Sequence, residues 1–277
     1  ETAMYAHVFL PGSSFLEKNG TFTNAERRIS RVRKVMAPKN GYEDWQITQM
    51  LSNALGYPMN YKHASEIMDE VAQLTPTFKG VSYEKLDKLE SIQWPCNDEY
   101  PEGTPTMHVD EFVRGKGKFF ITEYVPTSEK VNGKFPLIMT TGRILAHYNV
   151  GAQTRRTKNT EWHDEDLIEI HPHDAEERGI NEHDWVGINS RSGNTVLRAK
   201  ITSRVQPGVV YTTFHHPVSG ANVITTDNSD WATNCPEFKV TAVQVTKVTQ
   251  PSNWQSKYQK FSEEQIEFVK NGEEKVN

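Results

Sequence analysis

The strongest constraint on the fold is a series of short apolar segments, separated by turn residues, that begins at residue 166. Strands are predicted over 167–170, 185–188, 195–201, 209–213 and 240–248. A short helix is predicted over 172–179, because Pro172 stands near its start and Gly179 at its end. Many short strands with one small helix favour a closed barrel, since closure leaves no unpaired sheet edge.

One more strand is predicted over Phe135–Met139, and a loop rich in hydrogen-bond donors follows it. The strand runs into Thr140, Thr141 and Gly142, where free N–H groups and a missing Cβ allow a ligand to approach the backbone. The next fourteen residues hold two ring systems and three guanidinium groups, in a set formed by Arg143, His147, Tyr148, Asn149, Gln153, Thr154, Arg155 and Arg156. This set suits an anionic heteroaromatic ligand such as a nucleotide, and the alternative is a solvated loop.

Aromatic and polar side chains also lie after strand 209–213 and before strand 240–248. Phe214, His215 and His216 carry rings that can stack on a ligand ring or hydrogen-bond to it. The amide of Asn222 both donates and accepts hydrogen bonds, and Lys239 stands next to an aromatic residue. The sequence therefore predicts three strand ends that carry pairs of aromatic and polar residues.

The charge pattern and the hydropathy argue against two classes of partner. The net charge is −5 and the arginines form doublets rather than a basic stripe, so nucleic-acid binding is not expected. The sequence has no run of 18 apolar residues, which predicts that no helix spans a membrane.

Common catalytic and metal-binding motifs are missing from the sequence. There is no Gly-x-Ser-x-Gly nucleophile elbow, no Gly-x-Gly-x-x-Gly after a strand and no Walker-type phosphate loop, while a Ser/His/Asp triad stays open on composition alone. The histidine pairs at 171/173 and 215/216 do not match the spacing of zinc motifs, so neither a catalytic residue nor a metal ligand is predicted. Cys96 and Cys235 lie far apart and are expected to be buried free thiols.

Outside the predicted barrel, the sequence indicates helices, strands and a linker. Strands are predicted over 5–10, 29–35 and 119–121, the second of them as an exposed edge strand, and helices over 42–55 and 64–74. Residues 95–118 are rich in Pro and Gly and are expected to form a linker. A last helix is predicted over 262–270, with Ser262 as its N-cap. Because the chain starts at Glu1 without Met, we expect it to be cut from a longer polypeptide.

Four motifs of the chain resemble the C-terminal part of the catalytic alpha subunit of molybdenum or tungsten formate dehydrogenases, in the molybdopterin oxidoreductase family. The first is Glu17-Lys-x-Gly-Thr-Phe-Thr-Asn-x-Glu-Arg-Arg28. The others are Gly56–Met59 with Ile92–Cys96, the loop that starts at Thr141-Gly-Arg, and Asn222-x-(apolar)-Thr225 with Pro236–Lys239. The second motif resembles formate dehydrogenases in particular, and the resemblance extends over nearly the full chain.

The resemblance implies a mixed α+β fold with a six-stranded double-psi β-barrel over residues 131–250, the molybdopterin dinucleotide-binding domain. Residues 1–95 are then expected to be the last piece of a preceding α/β region, with its helices and strands. Residues 96–130 are expected to be a linker, and residues 251–277 a tail with a short helix.

The resemblance also implies a cofactor, bis-molybdopterin guanine dinucleotide with Mo or W, and the residues that contact it. The matching positions are Thr141, Gly142, Arg143, Ile144, Leu145, Ala146, His147, Tyr148, Asn149, Val150, Phe214, Asn222 and Lys239. In the implied roles, the backbone at Gly142 approaches the pterin or pyrophosphate, while Arg143 and Lys239 neutralise negative charge. Asn222 hydrogen-bonds a pterin edge, and His147 bonds a group on the pterin or dithiolene side.

The implied activity is the oxidation of formate to CO2, with electrons passed to NAD or another acceptor, in the cytoplasm. The implied partners are the dinucleotide, upstream domains of the same polypeptide and iron–sulfur or flavin subunits that reduce NAD. The family's Cys or selenocysteine metal ligand, its formate-binding Arg and its iron–sulfur cysteines are expected upstream, so this chain alone should not oxidise formate. The alternatives are another molybdopterin oxidoreductase, such as a nitrate reductase, and a stand-alone cofactor carrier or docking module.

Overall fold

The computed structural model describes residues 2–273, and the chain divides into two compact units, Glu1–Ile121 and Thr122–Asn277. The described residues of the first unit form three α-helices, α1 (Asp44–Ala54), α2 (Ala64–Leu74) and α3 (Tyr83–Leu89), besides short 3-10 turns. It also has a small antiparallel sheet in the order β1-β2-β3, formed by β1 (Gly20–Thr23), β2 (Arg28–Val32) and β3 (Ser91–Gln93). The helices predicted over 42–55 and 64–74 are thus confirmed.

The core of the first unit explains why the prediction of an exposed edge strand is wrong. β2 is the central strand, because β1 pairs with it on one side and β3 on the other. Ile29 on β2 is buried opposite Ile92 on β3, and both pack in one cluster with Leu86 of α3. The basic residues between the apolar positions of β2 suggested an exposed edge strand. The second pairing partner, β3, lies about sixty positions later in the chain, so the local sequence of β2 did not reveal it.

Two other predicted strands of the first unit are also wrong. Thr2–Tyr5 forms a 3-10 turn and residues 6–10 form no strand, with Val8, Phe9 and Leu10 exposed. Residues 119–121 form no strand either, and Phe119 and Ile121 are fully exposed. Short apolar runs predict burial only where a partner strand is present, and these runs have none within the described residues of their unit.

The second unit is a closed barrel of six strands in the order β4-β8-β5-β7-β6-β9, with β9 pairing back onto β4. The strands are β4 (Leu137–Gly142), β5 (Leu167–Ile170), β6 (Trp185–Asn189), β7 (Asn194–Ile201), β8 (Val209–Thr213) and β9 (Thr241–Lys247). Two neighbouring pairs, β4/β8 and β5/β7, are parallel, and the other pairs are antiparallel. The predicted six-stranded barrel is confirmed.

The barrel is filled by apolar side chains that alternate along the strands. On β4, Leu137 and Met139 are buried, and they pack with Ile168, Ile188 and Val210 from other strands. A short helix, α4 (Pro172–Glu177), follows β5 as predicted, and its Ala175 joins the same core. The core positions on most strands lie two residues apart, because each strand has one face inside the barrel.

The last helix of the chain, α5 (Asn253–Glu273), begins nine residues before the predicted start, so Ser262 lies inside it and is not an N-cap. The buried amide of Gln255 explains the earlier start. Its Oε1 accepts the N–H of Val196 on β7 at 3.0 Å, and its Nε2 donates to the carbonyl oxygens of Val196 and Val218. These bonds fix the first turn of α5 against the barrel of the same unit.

The two cysteines differ in environment. Cys96 is buried in the core of the first unit, where burial raises the pKa of its thiol, while Cys235 is exposed. The expectation that both thiols are buried is therefore wrong for Cys235. Among residues 2–273, no helix combines the length and apolar character that crossing a bilayer requires.

Candidate functional site

The parallel pairing of β4 and β8 brings two of the predicted ligand-binding segments to the same end of the barrel. Gly142 at the end of β4 is in register with Thr213 at the end of β8. The segments that follow these residues therefore leave the barrel side by side. The guanidinium of Arg143 lies 5.7 Å from the ring centroid of Phe214, and its Nη1 donates to Oδ1 of Asn149 at 3.2 Å.

His215 fixes the conformation of the loop that follows Gly142. Its Nε2 accepts the N–H of Ile144 at 3.2 Å, and its Nδ1 lies 2.6 Å from the carbonyl oxygen of Asn149. Because one nitrogen accepts and the other donates, the ring must be neutral with the proton on Nδ1. Burial lowers the pKa of His215, in agreement with the neutral form. One fully buried side chain thus holds both ends of residues 144–149.

His215 is held in turn by the buried carboxylate of Asp166, just before β5. Asp166 accepts the N–H of His216 at 2.8 Å, the N–H of His215 at 3.2 Å and the hydroxyl of Thr213. Burial on its own raises the pKa of Asp166, but the nearby His216 ring, the hydroxyl of Thr213 and the N–H of His216 outweigh burial and lower this pKa to about 2. The ionised Asp166 therefore fixes the segment that leaves β8.

Sequence reasoning did not select Asp166, and it gave His215 only a general role in stacking or hydrogen bonding. Asp166 and His215 are 49 positions apart in the chain. The sequence feature that could have revealed Asp166 is its position immediately before a predicted buried strand. A buried carboxylate at such a position needs hydrogen-bond partners.

His147 lies inside the loop rather than on its surface. It is buried, its Nδ1 lies 2.9 Å from the hydroxyl of Thr154, and its Nε2 lies 2.7 Å from the carbonyl oxygen of His163. Both ring nitrogens thus have protein partners. A hydrogen bond from His147 to a pterin would have to replace one of these contacts, and in this structure His147 braces the loop.

The surface of the same loop carries apolar side chains. Leu145, Tyr148 and Val150 are exposed, although hydrogen bonds to the side chains of His215 and Thr154 hold the backbone in place. Ala146 is half-buried, and its carbonyl oxygen accepts a bond from Asn159 at 2.6 Å. A fixed loop with exposed apolar side chains is typical of a binding surface.

Lys239 and Thr141 connect the end of β4 to the segment before β9. The Lys239 ammonium donates to the carbonyl oxygen of Thr141 at 3.2 Å, and the Thr141 hydroxyl donates to the carbonyl oxygen of Phe238 at 3.0 Å. In the part of the chain that the structure describes, neither Lys239 nor Arg143 forms an ion pair with a carboxylate. Two cations without a carboxylate partner, beside a fixed loop, are suited to binding a pyrophosphate, because its negative charge would neutralise them.

Asn222 is the predicted residue that the structure connects least to the others. It is exposed on a 3-10 turn, Ala221–Val223, and its carbonyl oxygen accepts the hydroxyl of Thr225 at 3.1 Å. Within residues 2–273, no hydrogen bond or ion pair joins its side-chain amide to Arg143 or Lys239. Contacts within the protein therefore do not place the Asn222 side chain beside Arg143 or Lys239, and its contact with a cofactor stays a prediction.

Comparisons with known families agree with this geometry. Residues 137–242 match the family model described as "Molydopterin dinucleotide binding domain", which covers the barrel up to the start of β9. The second unit is thus a dinucleotide-binding barrel of the molybdopterin type. Residues 1–54 match the model described as "Molybdopterin oxidoreductase". The chain belongs to the molybdopterin oxidoreductase family, as its motifs predicted.

Curated relatives are considerably longer than this chain. It is 39% identical over 254 residues to F420-dependent formate dehydrogenase 1 subunit alpha of Methanococcus maripaludis, a match over 90% of this chain and 38% of the relative. The corresponding subunit alpha of Methanocaldococcus jannaschii is 41% identical over the same shares. A putative formate dehydrogenase of Staphylococcus aureus is 37% identical over 260 residues, with 26% of its length covered. The chain therefore spans less than two-fifths of these relatives.

A solved structure supports the fold. The chain is similar to acetylene hydratase from Pelobacter acetylenicus, with a TM-score of 0.64, over 86% of this chain and 38% of that one. The two sequences share 15% identity, so the similarity concerns the fold alone.

Proposed function

We propose that this chain is the cofactor-binding portion of a formate dehydrogenase, an oxidoreductase that converts formate to CO2. The observation that carries the proposal is the fixed loop at the end of β4, with the unpaired cations Arg143 and Lys239 next to it. The match of residues 137–242 to a dinucleotide-binding family and the names of the relatives support the same activity.

In the proposed site, the residues 141–150, Phe214, Asn222 and Lys239 hold a molybdopterin guanine dinucleotide. His215 and Asp166 keep the loop in one conformation, so little ordering of the backbone is required on binding. Arg143 and Lys239 supply positive charge for the pyrophosphate, and the exposed Leu145, Tyr148 and Val150 cover apolar parts of the ligand.

The remaining parts of the enzyme follow from the resemblance. When bound, the bis-dinucleotide cofactor with Mo or W supplies two-electron redox chemistry, while this chain supplies binding and orientation. Iron–sulfur clusters, the metal ligand and the substrate-binding Arg are proposed to lie in other parts of the same polypeptide. A cytoplasmic location and partner subunits that receive the electrons also remain predictions.

The electron acceptor has two candidates. The resemblance pointed to NAD or another acceptor, and two of the relatives are named F420-dependent, which adds F420 to the test. The names of the relatives favour formate over nitrate as the substrate of the complete enzyme. Their greater length favours a portion of a large enzyme over a stand-alone carrier.

We expect the complete enzyme to reduce a viologen dye with formate, whereas the 277-residue chain alone does not. The chain contributes the binding barrel, and the groups that react with formate are proposed to lie elsewhere. Both proteins should be assayed anaerobically with formate and, in parallel, by oxidation of reduced viologen with nitrate. In a second series, NAD or F420 replaces the viologen dye as the electron acceptor for formate oxidation. Formate-dependent reduction by the isolated chain, or activity of the complete enzyme with nitrate alone, would contradict the proposal.

Arg143→Ala in the complete enzyme is expected to lower cofactor affinity by about 10- to 100-fold, because a charge-assisted hydrogen bond is worth roughly 1.5–3 kcal/mol. Thermal stability should change little, since Arg143 is exposed and makes one hydrogen bond. Molybdenum or tungsten content, pterin fluorescence and the melting temperature measure the two effects. Arg114→Ala is the control, because Arg114 is an exposed arginine outside the predicted ligand-binding residues. Equal cofactor loading in both variants would disprove the role of Arg143.

A further inference from the structure

Three potential metal ligands meet in the second unit, behind the loop of the proposed cofactor site. They are His163, Asp166 and His216, and one ligand atom from each lies within 4.8 Å of the others. Nε2 of His163 lies 4.0 Å from Oδ1 of Asp166, and Nδ1 of His216 lies 3.3 Å from the same oxygen. With metal–ligand distances of about 2.0–2.1 Å, neighbouring ligands of a tetrahedral ion are roughly 3.4 Å apart. The separation of 3.3 Å matches this value, and the separation of 4.0 Å requires a small movement of the partly exposed His163 ring.

The ring nitrogens of this cluster lack partners. Nε2 of His163 and both ring nitrogens of His216 are buried without a hydrogen bond in the described structure, and His216 is only 8% exposed. The Nδ1 atom of His216 is near Asp166 but lacks hydrogen-bond geometry. An unsatisfied buried polar atom costs about 1–3 kcal/mol, so three of them in one place indicate a missing ligand.

The charge balance indicates that the ligand is a cation. The side chain of Asp166 is fully buried, and no Lys or Arg pairs with it among residues 2–273. The cluster therefore places a buried carboxyl group next to two imidazoles that have ring nitrogens without partners.

We propose that His163, Asp166 and His216 bind one divalent transition-metal ion, with Zn²⁺ as the best match. Two imidazole nitrogens and a carboxylate are a common zinc ligand set, and they leave a fourth position for water. His163 is partly exposed, which gives the ion a way in. The hydroxyl of Thr213 also bonds Oδ1 of Asp166, so its proton must turn away when the ion binds.

Such an ion would link two segments that are distant in the sequence. His163 and Asp166 precede β5, while His216 follows β8 and adjoins His215, which holds the loop 144–149. His147 supports the same cluster, since its Nε2 contacts the carbonyl oxygen of His163. The ion would therefore stabilise the support of the loop and take no part in redox chemistry. No spacing in the sequence predicted this site.

A second group of ligand-type residues, His173, Asp174 and Glu177, does not have these properties. His173 and Glu177 are exposed, and Asp174 already accepts the N–H of Gly208 at 2.7 Å and faces Arg178 at 3.7 Å. This group provides a control because it contains the same residue types without the unpartnered buried nitrogens.

The test is a titration of the 277-residue chain with Co²⁺ and with Zn²⁺ after treatment with a chelator. We expect one ion per chain, visible absorption of tetrahedral Co²⁺, and displacement of Co²⁺ by Zn²⁺. His163→Gln should weaken binding by more than the roughly 10- to 100-fold typical for loss of an outer-shell partner. His173→Gln should bind like the parent.

A measurement on the parent chain keeps the test valid if a variant folds poorly. Zn²⁺ should shift the imidazole NMR signals of His163 and His216 and leave those of the exposed His173 and His183 in place. Three outcomes would overturn the proposal. The first is an affinity no higher than that of a surface site, and the second is equal affinity in His163→Gln and His173→Gln. The third is a set of His163 and His216 signals that Zn²⁺ leaves in place.

Discussion

Asp166→Ala is expected to lower the free energy of unfolding of the second unit by about 3–5 kcal/mol, the range for removing one partner of a buried charged network. The substitution leaves the hydroxyl of Thr213 and the N–H groups of His215 and His216 without an acceptor. Each buried donor that loses its acceptor costs about 1–3 kcal/mol, and the cost of burying the carboxylate offsets part of the sum.

Urea denaturation of the chelator-treated chain measures this loss without a contribution from a bound ion. Asp164→Ala is the matched control, since Asp164 is an exposed aspartate two positions earlier, where a change within about 0.5 kcal/mol is typical. The chemical shifts of residues 144–149 should move in Asp166→Ala and not in the control, because His215 transmits the change to the loop. Similar unfolding free energies for the two variants would show that the carboxylate does not organise this region.

Gly151→Ala is the second substitution with a large expected effect, about 3 kcal/mol of destabilisation. Gly151 has a φ of +72°, a conformation that costs other residues about 1–2 kcal/mol. A Cβ at this position would lie 2.6 Å from the carbonyl oxygen of His215 and 3.1 Å from Nε of Arg155. The first contact is with backbone that Asp166 holds in place, so the loop must move instead.

Gly179→Ala is a control that separates the cost of the positive φ from the cost of the steric contact made by the added Cβ. Gly179 has a φ of +60° and nothing within 4 Å of an added Cβ, so only the backbone term of about 1–2 kcal/mol applies. Both variants should be compared by thermal and urea unfolding, and by dinucleotide binding in the complete enzyme. We expect weaker binding for Gly151→Ala only. Equal stability and equal binding in the two variants would refute the proposed contact between Gly151 and His215.

The part of the site that could be predicted from the sequence is the set of residues near strand ends. Thr141 and Lys239, which were predicted to share a site, are in contact, and Arg143 lies beside Phe214. Their assignment to a dinucleotide remains a prediction, and Asn222 has no contact with them in the described structure. His147 was predicted at the ligand, but its position along the loop did not reveal that it faces inward.

The sequence by itself determined the approximate positions of the barrel strands, the position of α4 and the family, because apolar periodicity, turn residues and motifs are local properties. The bounds of β4 were not determined, since this strand runs through Gly142, three residues beyond its predicted end. Only the tertiary structure decided that β2 is central, that α5 starts at Asn253, and that Asp166, His215 and the loop after Gly142 form one network. Such a network joins residues up to 71 positions apart. These residues come close in space only when the barrel closes and β4 pairs in parallel with β8. No local pattern in the chain specifies that pairing.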